Sequence, residues 1–376
     1  MKLTPQEQAI LGQLRSDPLL DAAGLAERLG STKASVSVAL SNLTRKGAIL
    51  GRGYLVRPDA AVVVVGGAIM DIKARSAEVL DAGTSNPGRV ATNPGGVGRN
   101  IAENLARLGT PTHLVTALGD DAFGESLLTH TRDAGVHVDH VVVGPRPTGT
   151  YLAVLDHEGD LSVAVSDMTA TDALTVGDLE GVRALVQHCE LLVVDGNIPV
   201  DVTAWLLESA RASDISVVLE PVSVVKARRM ATVLSPERPV LAITPNIDEL
   251  AALVGHDVPN SVAGMTRAAA ELHERGVEHV WVRRGARGSL LSSRMPDGAP
   301  AVSTNAMVST HVVDVTGAGD SMTAGFVHAL LDGRDAPGAA AYGQATAALT
   351  TESGSTVRPD LTHALVTGRL TQQGTP

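Results

Sequence analysis

The chain has 376 residues, 44% of them hydrophobic but only 2% aromatic, and a net charge of −11. That length exceeds one ordinary domain, and the core it can bury must be aliphatic. No uncharged apolar run approaches the roughly 18 residues of a membrane span, the first residues lack a signal-peptide core, and Cys189 stands alone; the composition argues against a membrane protein, a disulfide scaffold or a cysteine-rich zinc site, and for a cytoplasmic location.

Charge is unevenly spread. Residues 1–57 carry eight Lys/Arg against four acids, a net of +4 on a chain of −11, so the remainder carries −15. A small basic head on an acidic body points to nucleic acid as a partner of the head alone. Thr4-Pro5-Gln6-Glu7 is a capped helix start, Ile10, Leu11 and Leu14 continue an apolar face, and Ser16-Asp17-Pro18 stops it. A second helix spans about residues 21–29 and ends at Gly30. A third begins at Ser31-Thr32 and runs through Val36, Leu40 and Leu43 to Gly47. Residues 48–56 then alternate like a short hairpin with Gly51-Arg52-Gly53 at its tip. Three helices and a β wing over residues 1–57 resemble a winged helix-turn-helix. In that arrangement Lys33, Ser35, Ser37 and Asn42 line the recognition helix, and Arg45, Lys46 and Arg52 meet DNA phosphates. The same residues also suit a small helical bundle used for protein contacts.

The body, residues 58–370, alternates apolar strands with amphipathic helices. The strands are expected at 60–65, 113–117, 191–195, 216–220, 240–244 and 280–283. The helices are expected at 99–108, 123–134, 200–213, 247–254 and 262–275. Continuous β-branched runs separated by helices predict an α/β doubly wound sheet covered on both faces. Two intervals, about 81–94 and 147–166, read as strands without helices and suit a small sheet placed over a site.

Four glycine or polar clusters follow strands. Asn93-Pro94-Gly95-Gly96-Val97-Gly98-Arg99-Asn100 opens a helix; its glycines admit a ligand to the backbone, and the Asn100 amide can both donate to and accept from a sugar hydroxyl. Thr244-Pro245-Asn246-Ile247-Asp248-Glu249 offers either helix caps or an Asn and a Glu around a hydrated magnesium ion. Arg283-Arg284-Gly285-Ala286-Arg287-Gly288 leaves a strand and either flanks a nucleotide or carries surface charge. The last, Asp314-Val315-Thr316-Gly317-Ala318-Gly319-Asp320-Ser321, is a glycine turn into a helix. Its first-turn N–H groups and helix dipole make an anion site, and Asp320 is either a cap or the acceptor of a proton from an attacking hydroxyl.

In this order the clusters resemble the ribokinase-like (PfkB) family of carbohydrate and nucleoside kinases, over about residues 60–365. The resemblance implies an αβα sandwich with a β lid, and ATP, Mg²⁺ and a monovalent cation such as K⁺ as cofactors. It makes Asp320 the base and Gly317, Ala318 and Gly319 the anion hole. Asp71, Gly95, Gly96 and Asn100 become sugar ligands, and Asn246 and Glu249 the magnesium and phosphate residues. Arg283, Gly285 and Gly288 flank the nucleotide, and Asp314 holds the monovalent cation together with Val315 and the loop at 348–353. Gly83-Thr84-Ser85-Asn86-Pro87-Gly88 and Ser166-Asp167-Met168, with Val97 in place of a lysine, look like the pseudouridine kinases of this family, some of which carry an N-terminal helix-turn-helix. Ser85, Asn86 and Asp167 would then meet a uracil edge. The resemblance implies ATP-dependent phosphorylation of the pseudouridine 5′-hydroxyl. The rivals are a nucleoside-sensing transcription regulator and a kinase for ribose, inosine or adenosine. A homodimer is expected, since lids of this family pair and winged helices read two half-sites.

Overall fold

The computed structural model describes residues 3–17, 19–49, 62–295, 300–308 and 311–372. The chain forms two compact units, Met1–Ala60 and Ala61–Pro376. In the first, helices α1 (Pro5–Ser16), α2 (Ala22–Arg28) and α3 (Lys33–Arg45) enclose a core of Ile10, Leu14, Leu25, Val36 and Leu43. The capping box forms as the sequence requires: the Thr4 hydroxyl accepts from the Glu7 N–H at 3.2 Å and the Glu7 carboxylate from the Thr4 N–H at 2.7 Å. Residues 29–32 turn the chain between α2 and α3, with Gly30 at φ +58°. Most of the expected wing, Arg52 included, lies outside the described residues.

The strands of the second unit are β1 (Val62–Val65), β2 (Ile69–Ser76), β3 (Gly88–Gly95), β4 (Thr112–Val115), β5 (Ala117–Gly119), β6 (Val142–Gly144), β7 (Thr150–Leu155), β8 (Leu161–Asp167), β9 (Leu191–Asp195), β10 (Ser216–Glu220), β11 (Val240–Ile243), β12 (Val277–Arg283), β13 (Ser289–Arg294) and β14 (Pro300–Asn305). Its helices are α4 (Val97–Arg107), α5 (Ala122–Asp133), the single turns α6 (Thr169–Asp172) and α7 (Val176–Leu179), then α8 (Arg183–His188), α9 (Val200–Arg211), α10 (Val224–Met230), α11 (Ile247–Val254), α12 (Val262–Glu274), α13 (Ala318–Leu331), α14 (Ala336–Thr351) and α15 (His363–Gln372).

Eight strands form the main sheet in the order β14-β13-β12-β11-β10-β9-β1-β4, parallel from β12 to β4. Helices α4, α13, α14 and α15 share one apolar cluster with the sheet. The helices from α8 to α12 pack successively against one another along the chain. Burial on both faces explains why β1 and the first four residues of β9 are uninterrupted apolar runs. The core is aliphatic as the composition demands, with the Trp281–Phe326 stack, centroids 5.0 Å apart, as its main aromatic contact.

The lid is a four-stranded sheet, β3-β2-β7-β8, that leaves Val90, Val163 and Val165 exposed. Here expectation and structure part. The interval 81–94 supplies only β3, because residues 81–87 are turns, while β2 extends through Ser76 as a lid strand that its polar residues did not announce. The antiparallel pair β13–β14 at the sheet edge was likewise not anticipated. The strand expected at 113–117 is divided between β4 in the main sheet and β5 in a separate pair with β6.

Because Trp281 and Phe326 are fully buried between β12 and α13, Trp281→Ala is expected to cost about 3–5 kcal/mol through the cavity it leaves. The check is the shift in the guanidinium unfolding curve.

Candidate active site

The parallel strands end on one side of the sheet, and their last residues converge there. Glu220, the final residue of β10, is almost wholly buried and accepts from five donors. Arg283 at the end of β12 donates Nη1 to Oε2 at 3.0 Å and Nη2 to Oε1 at 2.6 Å. The hydroxyls of Thr244 and Thr323 each donate to Oε2 at 2.8 Å, and the Val222 N–H reaches Oε1 at 3.3 Å. Arg283 also meets Glu249 Oε2 at 3.3 Å, so one guanidinium is held between two carboxylates. Its side chain is only 13% exposed. Burial pulls its pKa down, but Glu220 and Glu249 more than offset this and hold it above the ordinary value. The surface-charge reading of Arg283 is therefore wrong.

Asn246 and Glu249 form a complete capping box on α11. The Asn246 side chain accepts from the Glu249 N–H, and the Glu249 carboxylate accepts from the Asn246 N–H, both at 2.9 Å. Burial raises the pKa of Glu249 against the pull of Arg283. The structure thus shows the cap reading of this cluster, and the cap aims the Glu249 carboxylate at Arg283.

The N-terminus of α13 meets this bracket. Gly317 caps it at φ +79°, where a Cβ would collide with the Thr356 carbonyl. Gly319 lies against Arg283, whose Nη1 would stand 2.6 Å from a Cβ there. The N–H groups of Gly317 and Gly319 have no acceptor among the described residues, whereas the Ala318 N–H donates to the Val315 carbonyl at 3.2 Å. The expected hole is therefore narrower by one donor. Asp320 follows, half-buried, and its Oδ2 accepts from Asn100 Nδ2 at 2.8 Å. Burial pushes its pKa up to about 7; the Asn100 hydrogen bond opposes the rise, and the Glu220 and Asp195 charges add to it. Such a carboxyl changes ionisation at the pH where it would have to accept a proton.

Asn100 lies on α4, which starts from Gly96 at φ +95°. The Asp71 carboxylate packs directly against Gly95, and burial raises its pKa. Asp71, Gly95, Gly96, Asn100 and Asp320 therefore come together as expected.

Three other residues are spent locally. Asn86 is bound into its own turn, accepting from the Asp81 N–H at 2.8 Å and donating to the Asp81 carbonyl at 3.0 Å; Ser85 beside it is exposed. Asp167 Oδ1 accepts from the Thr169 N–H and hydroxyl. Asp314 Oδ1 accepts from the Thr316 N–H at 2.9 Å, and its Oδ2 faces the Lys73 ammonium at 3.7 Å, a positive charge already standing where a monovalent cation was expected.

A cavity of about 490 Å³ extends from Asp320 and Gly319, past Asn246 and Arg283, to Gly285, Gly288, Val308, Val312 and Ala347. One end is polar and the other apolar, and the buried Oε1 of Gln344 on its wall has no hydrogen-bond partner. Size and lining fit a nucleotide with its phosphates at α13. Sequence reasoning did not find Glu220, Val222 or Asp195. Val222 has φ +70°, a strained value for a β-branched residue, and borders the cavity.

A doubly wound sheet with a glycine-rich helix start, and a carboxylate tied to the Asn100 amide, are features of the sugar and nucleoside kinase class. The chain belongs to the pfkB family carbohydrate kinases, whose profile matches residues 59–363. It is 33% identical over 357 residues to the uncharacterized sugar kinase YeiI of Escherichia coli, covering 95% of this chain and 96% of that one. It is 34% identical over 306 residues to the pseudouridine kinase of the same organism, covering 81% and 95%. Arabidopsis thaliana ribokinase, complexed with ribose and ATP, superposes with a TM-score of 0.71 at 26% identity, over 83% of this chain and 98% of that one. No helix among the described residues is long and apolar enough to cross a membrane.

Arg283→Met would leave Glu220 and Glu249 facing each other without their cation. A loss of about 3–5 kcal/mol in chemical denaturation is expected, the cost of breaking a buried pair from one side.

Proposed function

We propose that the protein is an ATP-dependent kinase that phosphorylates the 5′-hydroxyl of pseudouridine. The observation that carries the catalytic part is the Asn100–Asp320 hydrogen bond, which joins the sugar-side turn to the anion-binding helix end. With Oδ2 held by Asn100, Asp320 keeps Oδ1 to take the proton from the attacking hydroxyl. The Gly317 and Gly319 N–H groups receive the charge that develops on the transferred phosphoryl group. The bracketed Arg283 fixes Glu249 beside Asn246, and these two residues would hold a magnesium ion through water. When bound, that ion supplies charge neutralisation between the phosphates. The apolar end of the cavity suits an adenine ring. The substrate choice is supported by the pseudouridine kinase relative at 34% identity.

The test is phosphate transfer from Mg·ATP to pseudouridine, uridine, cytidine, inosine, adenosine, ribose and fructose. The highest kcat/KM is expected with pseudouridine; a preference for ribose would overturn the substrate reading while keeping the mechanism. Asp320→Asn should lower kcat by about 10²–10⁴-fold with nucleoside affinity largely kept. The base must be ionised, so kcat/KM should fall as pH drops below the Asp320 value of about 7 in the free enzyme. A limb near 4 would rule out this environment for the base.

A second activity is favoured by one observation, the α2–turn–α3 arrangement with Lys33, Ser37 and Arg45 exposed on α3. We read it as a DNA contact. Lys46 is less suited than expected, since its ammonium is held by both Glu7 oxygens at 2.8 Å, and Ser35 accepts from Gln6. Lys33→Ala with Arg45→Ala should weaken binding to duplex DNA and flatten the log–log salt dependence by about two. Retention of binding with an unchanged salt slope would remove the contact.

A further inference from the structure

The monovalent cation expected at Asp314 does not fit the residues around it. Asp314 Oδ1 is spent on the Thr316 N–H at 2.9 Å and the Thr316 hydroxyl at 2.7 Å. The Val315 carbonyl accepts from the Ala318 N–H at 3.2 Å. In the loop expected to complete the site, the Ala348 carbonyl accepts from the Thr351 hydroxyl at 2.8 Å, and the Leu349 carbonyl from Arg358 Nη1 at 2.9 Å. The carbonyls of Thr350 and Thr351 accept from the Ser353 N–H at 3.0 Å and the Val313 N–H at 2.8 Å. The one carboxylate of that loop, Glu352, is paired with both Arg358 and Arg369. A bare cation needs several oxygens turned toward it together in place of its water shell, and these oxygens already answer donors.

What faces Asp314 Oδ2 is the Lys73 ammonium, at 3.7 Å. Lys73 comes from β2 of the lid, two residues after Asp71, so both project from the same face of one strand. That strand carries the acid beside Gly95 and the ammonium beside the glycine turn. Through Thr316, the Asp314 carboxylate ties down the turn that ends at Gly317, the cap of α13. Its charge stands three residues before the Gly317 N–H, and unneutralised it would oppose the phosphates of a nucleotide bound there.

We infer that Lys73 takes the place of the monovalent cation: it neutralises Asp314 beside the anion site, and the enzyme needs no K⁺. The ammonium is a fixed charge that arrives with the lid strand, whereas an ion must be recruited from solution. The two side chains are 37% and 33% exposed, so the pair adds little to stability, and its effect falls on the nucleotide. Lys73 is then a positioning residue that acts through Asp314. The inference deepens the kinase reading and rests on it.

The experiment measures phosphate transfer, Mg·ADP affinity by calorimetry and thermal melting, each in KCl and in tetramethylammonium chloride at equal ionic strength. It compares the wild type, Lys73→Met, Lys73→Arg, and Lys73→Met combined with Asp314→Asn. The wild type should turn over and melt alike in the two salts. Lys73→Met should raise KM for ATP and weaken Mg·ADP binding about tenfold, with the melting point little changed. Lys73→Arg should keep wild-type affinity. Adding Asp314→Asn to Lys73→Met should recover most of the loss, because the opposing charge is gone while an oxygen for Thr316 remains. A merely structural contact would lower the melting point and would not be rescued by neutralising its partner. Wild-type transfer that needs K⁺, or a melting point that K⁺ alone raises, would overturn the inference and leave the kinase reading intact. Unchanged nucleotide affinity in Lys73→Met would do the same. No transfer in either salt would overturn the kinase reading, and the melting comparison would still decide the cation question.

Discussion

One guanidinium between two carboxylates organises the catalytic end of this protein. Arg283 closes β12, Glu220 closes β10 and Glu249 sits in the first turn of α11, so their ion pairs tie three elements across the sheet. The same guanidinium lies against Gly319, close enough that a Cβ there would push Arg283 Nη1 out of its place in the bracket. Thr323 bonds to Glu220 from one turn further along α13. A buried charge pair of this kind contributes little net stability compared with apolar residues of equal volume. Its value is positional, because any displacement of β10, β12 or α11 leaves a charge unpaired.

The chemistry follows from burial and from the charges around that bracket. Burial disfavours the ionised form of Asp320, and the Glu220 and Asp195 charges add to this against the pull of Arg283. Asn100 adds its hydrogen bond to that pull. The result is a carboxyl poised near neutrality, able to hold a proton without keeping it. A free surface aspartate would be ionised throughout the physiological range and a much weaker base.

Much of this was legible in the chain where cause and effect lie close together. Gly317 and Asp320 sit three residues apart, so the turn, the helix start and the carboxylate appear as one local pattern. The capping boxes at Thr4 and Asn246 are equally local. Glu220 was not legible because its partners Thr244, Arg283 and Thr323 lie 24, 63 and 103 positions away, and one acid ending an apolar strand has no periodic signature. Val222 has the same problem in backbone form, since nothing about a valine announces a left-handed conformation. Asn86 and Asp167 show the opposite case. They are polar groups exposed in the sequence pattern, but the amide of Asn86 and one carboxylate oxygen of Asp167 are taken by neighbours two to five residues away.

The Asn100–Asp320 bond joins residues 220 positions apart, and Asp195 reaches Gly67 across 128. Contacts this distant are the last that a growing chain can make, and parallel strands add to the delay because each needs a crossover before it can pair. Every strand of the sheet precedes α13, yet the apolar cluster the sheet shares with α13, α14 and α15 closes only when those helices have been made. A chain interrupted before residue 320 would leave that part of the core open and would lack the Asn100–Asp320 bond altogether.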